Sequence, residues 1–230
     1  MSADYWKSFW LSHAEKNKNS EPQMQVLRTL NQQPVSQEFF SSIVDSVITM
    51  LKPERGNNLL DLCCGNGLLT RELINKFRVV TAIDLSEEFI SQVDKGIGDK
   101  VTALAADART VELPEKSFDR ILLYAGIQYF SDSEAINLLM RLRRWIRNEG
   151  SVVLGDIPDL TRKWKFFNSP QREGAYFDAL RSGKPIVGNW FEPVWLEKLS
   201  YYSGFSSAVT RPQPQTHPYQ HYRFDLVLSA

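Results

Sequence analysis

Apolar residues recur along the chain with two different spacings. Within residues 37–51, QEFFSSIVDSVITML, they return every three or four positions, which predicts an amphipathic helix that Pro53 and Gly56 bring to an end. From residue 58 onward, short apolar runs alternate with helical stretches. The apolar runs predict five strands, at 58–62, 78–85, 101–107, 118–126 and 150–157. The stretches between them predict helices at 67–77, 86–96 and 132–147.

This alternation predicts the fold class. Five strands separated by helices call for a doubly wound, mostly parallel α/β sheet with helices on both faces. After a helix near 193–203, the segments SSAVTRP (206–212) and HYRFDLVLSA (221–230) predict two closing strands. The turn-rich segment between these strands makes an antiparallel pair the simplest connection.

Composition and charge narrow the class of protein. The 230 residues suit a single domain, and 43% hydrophobic with 23% charged residues are ordinary for a globular protein. Lysine plus arginine equals aspartate plus glutamate at 27 each, so no overall positive field favours a nucleic-acid partner. Charges every few positions near the N-terminus fit neither a secretory signal nor a membrane span. With only two cysteines, adjacent in sequence, a reducing cytoplasm is the expected location.

The most informative stretch is LLDLCCGNGLLTREL, at 59–73. A strand that runs into Gly65-Asn66-Gly67 and directly into a helix lets backbone N–H groups approach a ligand at the carboxyl edge of the sheet. Asp84 ends the second strand, where a carboxylate can bind both hydroxyls of a ribose, and Asp107 ends the third. A plain tight turn and helix caps are alternatives for these residues taken singly. Together they favour a nucleoside site.

The residues around the loop distinguish between nucleosides. A dinucleotide site uses G-x-G-x-x-G, but Thr70 occupies the third glycine position. Asp61, four residues before the loop, would repel a pyrophosphate and attract a cation. S-adenosylmethionine has a sulfonium and an α-ammonium and no phosphate, so it suits this charge better than a nicotinamide dinucleotide does.

These features together resemble the class I S-adenosylmethionine-dependent methyltransferases. The resemblance rests on LLDLCCGNGLLTREL, VVTAIDLSEEFI, ALAADA, FDRILLYAGIQYF and EGSVVLGDIP, and it covers residues 57 to about 157. It implies a seven-stranded, Rossmann-like sheet whose last strand is antiparallel, with S-adenosylmethionine as cofactor and S-adenosylhomocysteine as product. The family's loop usually reads D-x-G-x-G-x-G, and Cys63 replaces the first glycine here. That exchange is tolerated if the φ of Cys63 is negative.

Position by position, the resemblance implies a cofactor site. Its residues would be Asp61, Cys63, Gly65, Asn66, Gly67, Asp84, Leu85, Asp107, Ala108 and Tyr124. The first five would surround the methionine part, and the next two would contact the ribose and the adenine. Asp107 and Ala108 would contact the adenine amino group, and Tyr124 would line the sulfonium side. No metal site is expected, because histidines are few and no Cys-x-x-Cys is present.

A single methyltransferase domain with four segments is expected. They are a helical N-terminal cap (1–56), a cofactor-binding core (57–157), an aromatic insertion (158–195) and the closing strands (196–230). The cap carries four aromatic residues on one helix face, Tyr5, Trp6, Phe9 and Trp10. The insertion holds eight more aromatic side chains. It would build an acceptor pocket or lid, or a hydrophobic core of its own.

The sequence leaves the catalytic residues open. Methyl transfer from a sulfonium needs alignment of donor and acceptor more than activation, and a base helps only a hydroxyl acceptor. Tyr129 and Asp156, beyond the fourth and fifth strands, are the weak candidates for such a base, and a turn or cap role competes for Asp156. Surface or structural roles are the better explanation for all three histidines, His13, His217 and His221. The arginine cluster at 141–147 fits a solvated helix face better than an RNA site.

The favoured function is methyl transfer to a small-molecule acceptor, at an oxygen of a saccharide or another hydroxylated or carboxylated metabolite. An NAD(P)-dependent oxidoreductase shares the glycine loop and Asp84, and it is the alternative enzyme class. A non-catalytic nucleoside-binding protein on the same fold is the third alternative.

Overall fold

A computed structural model describes residues 3–93, 98–184 and 186–230 of the chain. The N-terminal cap comprises α1 (Ala3–Asn17), α2 (Pro22–Gln25), β1 (Thr29–Leu30), β2 (Gln33–Pro34) and α3 (Gln37–Leu51). The core comprises β3 (Asn58–Leu62), α4 (Leu68–Leu73), β4 (Val79–Asp84), α5 (Glu87–Val93), β5 (Val101–Ala105), β6 (Phe118–Tyr124), α6 (Asp132–Trp145) and β7 (Ile146–Pro158). The C-terminal part comprises α7 (Lys163–Phe166), α8 (Pro170–Ser182), α9 (Pro193–Tyr202), β8 (Ser207–Pro212) and β9 (Arg223–Ser229).

Seven of these strands form one sheet in the order β5-β4-β3-β6-β7-β9-β8. β9 runs antiparallel to both of its neighbours, and the other adjacent strands are parallel. This confirms the predicted doubly wound sheet with an antiparallel last strand. The strand order reverses between β3 and β6, so their carboxyl ends open the crevice in which such sheets bind ligands.

The sheet separates two hydrophobic layers, because successive side chains of a strand point to opposite faces. On β6, Ile121 and Leu123 belong to the layer that contains α6 and α9, whereas Leu122 and Tyr124 belong to the layer that contains α3 and α4. Trp145, the last residue of α6, is fully buried in the first layer. Packing on both faces therefore fixes β6 and holds Tyr124 at the crevice. Across the described ranges, no helix is both long and apolar enough to cross a membrane.

Two predicted elements end differently from expectation. The helix predicted over 132–147 gives way to β7 early, because Ile146 is already extended, with φ −73° and ψ 140°. β7 therefore begins at Ile146 rather than at residue 150. Of the helix predicted over 86–96, residues 94–96 lie outside the described part of the chain, and the part before them forms α5.

The aromatic insertion forms short helices that pack largely on themselves. The Trp164 and Tyr176 rings, on α7 and α8, meet edge to face with centroids 5.4 Å apart. Phe167 is buried, but Trp164 and Phe177 are 53% and 58% exposed, and no residue of α8 is buried. The insertion thus has a small aromatic core around α7 and α8, whereas Phe191 near its end is buried in the main core of the molecule.

β7 is irregular where it passes the crevice. Its pairing with β9 shifts register between Leu154 and Ile157, and Asp156 within this bulge has a positive φ of 58°. Gly155 lies directly against the Tyr124 ring, so that a Cβ at this position would overlap Tyr124 Cδ2 and come within 2.7 Å of Cε2. The missing side chain of Gly155 therefore makes room for Tyr124.

We expect Gly155→Ala to destabilise the protein by about 1–3 kcal/mol, because the added methyl group overpacks the Tyr124 ring. The measurement is the urea midpoint of unfolding. Gly174→Ala is the matched control, since a Cβ there meets nothing within 4 Å on the exposed helix α8. That control should stabilise the protein by about 0.4–1 kcal/mol. Equal midpoints for the two variants would contradict this packing.

Candidate active site

A cavity of about 290 Å³ opens where the strand order reverses. The ends of the parallel strands line it, together with residues of α1 and of the segment 26–29. Nine of the ten predicted cofactor-binding residues line this cavity, and so do both base candidates, Tyr129 and Asp156. The exception is Gly67. It caps the start of α4 in the left-handed region, with φ 80°, and a side chain there would press on Val93.

The glycine loop is fastened to the neighbouring strand by Asp84. The amide of Gly65 donates to Asp84 Oδ2 at 2.8 Å, and the amide of Ser86 donates to Oδ1 at 3.0 Å. Burial raises the pKa of the Asp84 carboxyl, while these amide donors oppose the rise. Gly65 has φ 58°, and a Cβ there would lie 2.8 Å from Val26 Cγ1. Glycine is thus required at this turn both by its conformation and by its close neighbour.

Cys63, which replaces the first glycine of the family's loop, lies in the left-handed region of backbone conformation. Its φ is 59°, so the condition of a negative φ is not met. The side chain has room because it lies against Gly126, where a Cβ would come within 3.1 Å of Cys63 Cβ. Burial raises the pKa of the Cys63 thiol, and the nearby carboxylates add to the rise. The sulfur is therefore a neutral thiol at the cavity wall.

Asp61 is a buried carboxylate at the cavity with one hydroxyl donor. Thr70 Oγ1 donates to Asp61 Oδ2 at 2.6 Å, and both residues are almost inaccessible to solvent. Burial raises the pKa of Asp61 to about 7, against the effect of the Thr70 hydrogen bond and with a further contribution from Asp84. Thr70, which occupies the third glycine position of a dinucleotide motif, thus orients this carboxylate.

Asp107 lies close to two basic side chains, those of Arg109 and Lys7. Arg109 donates to Asp107 Oδ1 from its backbone amide at 2.9 Å and from Nη1 at 3.2 Å. Its Nε donates to Glu134 Oε1 at 2.7 Å and its Nη2 to the Tyr129 carbonyl at 3.0 Å. Lys7 of α1 stands 3.8 Å from Asp107 Oδ2. Arg109 therefore ties the loops after β5 and β6 to the start of α6.

The N-terminal cap is anchored directly on the glycine loop. Asn66 Nδ2 donates to the Pro22 carbonyl at 2.9 Å and to Gln25 Oε1 at 2.8 Å. From α1, Trp6 and Trp10 pack on the Tyr129 ring with centroids 4.8 and 5.2 Å away. Aromatic packing and hydrogen bonds thus hold the cap at the cavity.

The two base candidates differ in chemistry. Burial raises the pKa of Tyr129 to about 12, so its phenol keeps its proton at neutral pH and is a poor base. Asp156 accepts from Gln213 Nε2 at 3.2 Å and stands 3.5 Å from Arg223 Nη1. Its backbone amide donates to Asp225 Oδ1 at 2.8 Å. Of the two, only Asp156 carries a group that can accept a proton.

Part of this chain is similar in sequence to known methyltransferases. Residues 59–150 match the family model described as a methyltransferase domain, a range that includes the glycine loop and all three aspartates, Asp61, Asp84 and Asp107. Nocamycin O-methyltransferase of Saccharothrix syringae is 28% identical over 153 residues, which are 62% of this chain and 53% of that protein. The 27-O-demethylrifamycin SV methyltransferase of Amycolatopsis mediterranei is 27% identical over 126 residues, 52% of this chain and 46% of that protein.

A solved structure matches over the whole fold. Phosphoethanolamine N-methyltransferase 1 of Haemonchus contortus, in complex with phosphoethanolamine and S-adenosylhomocysteine, has a TM-score of 0.72 at 16% identity. The match covers 99% of this chain and 49% of that one. Residues 59–150 are thus similar to a methyltransferase domain, and the chain has the fold of a solved methyltransferase structure. The chain spans about half the length of the curated relatives it matches.

Several cavity residues were missed in the sequence. They are Arg28, Arg109, Gln128, Tyr219, Tyr222 and Arg223. Arg109 could have been predicted, because it follows Asp107 by two residues at the end of a predicted strand, and Gln128 directly precedes the predicted Tyr129. The other four reach the cavity from segments distant in sequence, and no local spacing marks them.

The residues assigned structural roles lie away from the cavity. His13 Nε2 lies 3.0 Å from the Gln25 carbonyl, His217 Nε2 lies 3.2 Å from the Ser42 carbonyl, and His221 is exposed. None of the three histidines lines the cavity. Each member of the arginine cluster has a partner on the protein itself, namely Glu112 for Arg141, the Gly204 carbonyl for Arg143, Glu115 for Arg144 and Asp119 for Arg147.

We expect Cys63→Gly to be tolerated and Cys64→Gly to be costly. Glycine relieves the left-handed strain at position 63, which is about 1–2 kcal/mol, whereas Cys64 has an ordinary φ and gains nothing. Cys63→Gly should therefore be more stable than Cys64→Gly by about 1–2 kcal/mol, as measured by urea unfolding. The same loss in both variants would show that Cys63 is not strained.

Proposed function

We propose that this methyltransferase transfers the methyl group of S-adenosylmethionine to an oxygen atom of a small molecule, a saccharide or another hydroxylated or carboxylated metabolite. The observation that carries the proposal is the convergence of Asp61, Asp84 and Asp107, from three adjacent strands, on one cavity beside the glycine loop. The bound cofactor supplies an activated methyl group. The chain then has to hold donor and acceptor in line and exclude water.

The buried polar atoms of the cavity suit a cationic ligand. Asp61 accepts one hydrogen bond, from Thr70, while Asn66 Oδ1 and Gln128 Oε1 are buried acceptors with no partner in the described part of the chain. All of these acceptors belong to residues that line the cavity. An α-ammonium group brings a positive charge and three N–H donors, which are what these acceptors lack. A pyrophosphate brings neither.

Each cofactor-binding residue of the cavity would contact a particular part of S-adenosylmethionine. Asp61 and the loop 63–66 would hold the methionine part of the cofactor. Asp84 and Leu85 would hold the ribose and the adenine ring, and Asp107 would accept from the adenine amino group. Tyr124 would line the side on which the methyl group leaves. Because Asp84 also bonds the Gly65 amide, it would couple the position of the loop to that of the ribose.

Two relatives support oxygen as the acceptor atom, since the names of both describe O-methylation. Where the acceptor is a hydroxyl, Asp156 would take its proton, because this carboxylate lines the cavity beyond Tyr124. Tyr129, with its retained proton, would serve as a hydrogen-bond donor. A carboxylate acceptor would need no base.

Calorimetric titration with S-adenosylhomocysteine and, separately, with NADH tests the cofactor. We expect the first to bind one site and the second not to bind, because Asp61 repels a pyrophosphate. Tight binding of NADH alone would refute the proposal. Binding of S-adenosylhomocysteine without methyl transfer to any hydroxylated or carboxylated compound, measured with methyl-labelled S-adenosylmethionine, would favour a non-catalytic nucleoside-binding protein.

The affinity for S-adenosylhomocysteine should rise with pH. Asp61 has a pKa of about 7 without ligand, and an adjacent ammonium group favours its ionised form, so binding releases a proton below pH 7. We expect Kd to be about tenfold weaker at pH 6 than at pH 8. Calorimetry at both pH values, in buffers of different ionisation enthalpy, measures the affinity and the proton release.

Asp61→Asn is the control for this pH dependence. The amide has a similar shape and can accept the Thr70 hydrogen bond, but it does not titrate. Its affinity should be low and nearly independent of pH between 6 and 8. If Asp61→Asn kept the pH dependence of the unaltered protein, the titrating group would be another one, and Asp61 would not face the ammonium.

A further inference from the structure

Arg28 is a buried cation with an unused hydrogen-bond donor. It follows α2, is 8% exposed and lines the cavity. Its Nη1 is buried and has no partner among the described residues. The Arg28 Cζ lies 4.9 Å from the centre of the Tyr124 ring, a cation–π contact that gives Nη1 no hydrogen-bond acceptor. Buried donors in proteins are nearly always paired, so this one points to a ligand.

Arg223 brings a second cation to the same end of the cavity. Its side chain is 11% exposed, and its Nε is also buried without a partner in the described ranges. Tyr219 connects the two arginines, because its hydroxyl donates to the carbonyl of Thr29, next to Arg28, while its ring centre lies 5.6 Å from the Arg223 Cζ. Both guanidinium charges are close enough to Tyr219 to oppose the burial that raises the pKa of its phenol to about 12.

The two arginines differ in their ionic partners. Arg223 stands 3.5 Å from Asp156, whose amide donates to the buried carboxylate of Asp225. Arg28 has no salt bridge to any described residue, and a ligand with a single negative charge would supply that partner. A carboxylate has that charge and matches the planar donors of arginine, whereas a phosphate monoester carries nearly two charges.

The walls around this pair are aromatic. Tyr124, Tyr219 and Tyr222 line the cavity together with Phe166 of α7 and Phe40 of α3. Flat rings of this kind favour a ligand body that is itself flat and largely apolar. Such a body would lie between the rings with its charged end at the arginines.

We propose that the methyl acceptor is a small carboxylic acid with a flat apolar body, and that Arg28, with Arg223, binds its carboxylate. This inference rests on the proposed function and specifies its substrate class. It separates two tasks within one cavity: the aspartates receive a cationic cofactor, and the arginines receive an anionic acceptor.

The test is calorimetry on the full chain saturated with S-adenosylhomocysteine. The probes are 4-hydroxybenzoate, 4-hydroxyphenylacetate and 4-hydroxycinnamate, each beside its primary amide. We expect at least one acid to bind at least tenfold more tightly than its amide. Arg28→Gln should reduce this preference at least tenfold, and Arg28→Lys, which keeps the charge without the planar donors, should fall between.

Arg181→Gln is the matched control, because Arg181 is exposed on α8 and pairs only with Asp178 there. It should keep the full preference for the acid. Thermal unfolding of each variant verifies folding, and Arg28→Lys carries the test if Arg28→Gln does not fold.

Three results would overturn the inference: equal binding of acids and amides, no binding of any acid, or an unchanged preference in the folded Arg28 variants. Tighter binding of 4-hydroxyphenyl phosphate than of every acid would overturn the choice of a carboxylate. Titration of S-adenosylhomocysteine into the same preparations separates the two proposals. If the unaltered protein binds it and shows no preference for acids, only the acceptor inference fails; if it does not bind, the proposed function fails as well.

Discussion

The hydrogen bond between the Gly65 amide and the Asp84 carboxylate is the constraint on which the rest of the cavity depends. It joins the loop after β3 to the end of β4 and spans 2.8 Å. Through it the left-handed residues Cys63 and Gly65 are held in place, although Cys63 would favour another conformation. Asn66, within the same loop, then provides the anchor for the N-terminal cap. A single half-buried carboxylate thus sets the position of the loop, of its strained cysteine and of the helices that cover it.

The fold could be predicted from the sequence because its signals are local. Alternating strand and helix patterns lie within residues 58–157, and the closing strands follow one turn-rich segment. The glycine loop and the strand-end aspartates were predicted for the same reason, since each follows an apolar run. All but one of the ten predicted cofactor-site residues line the cavity, and Gly67 does not because it serves the turn into α4.

What could not be predicted depends on contacts between distant segments. The conformation of Cys63 is possible because Gly126, over sixty residues later, leaves space for its side chain. Arg28 and Arg223 come from opposite ends of the chain, and Tyr219 contacts the carbonyl next to the first and the guanidinium of the second. Thr70 looked like a defect in a dinucleotide motif, and only its 2.6 Å contact with Asp61 reveals it as the donor that orients a carboxylate. None of these contacts can be recognised from the spacing of residues in the sequence.

The position of Val26 has a consequence for how the two ligands influence each other. Val26 fills the space above Gly65, where its Cγ1 lies 2.8 Å from the place of a missing Cβ, and Arg28 is two residues further along the same segment. A ligand that displaced Val26 from the backbone of Gly65 would also move the segment that carries the arginine. The two occupants of the cavity would then be thermodynamically linked, and each would change the affinity of the other by the same factor.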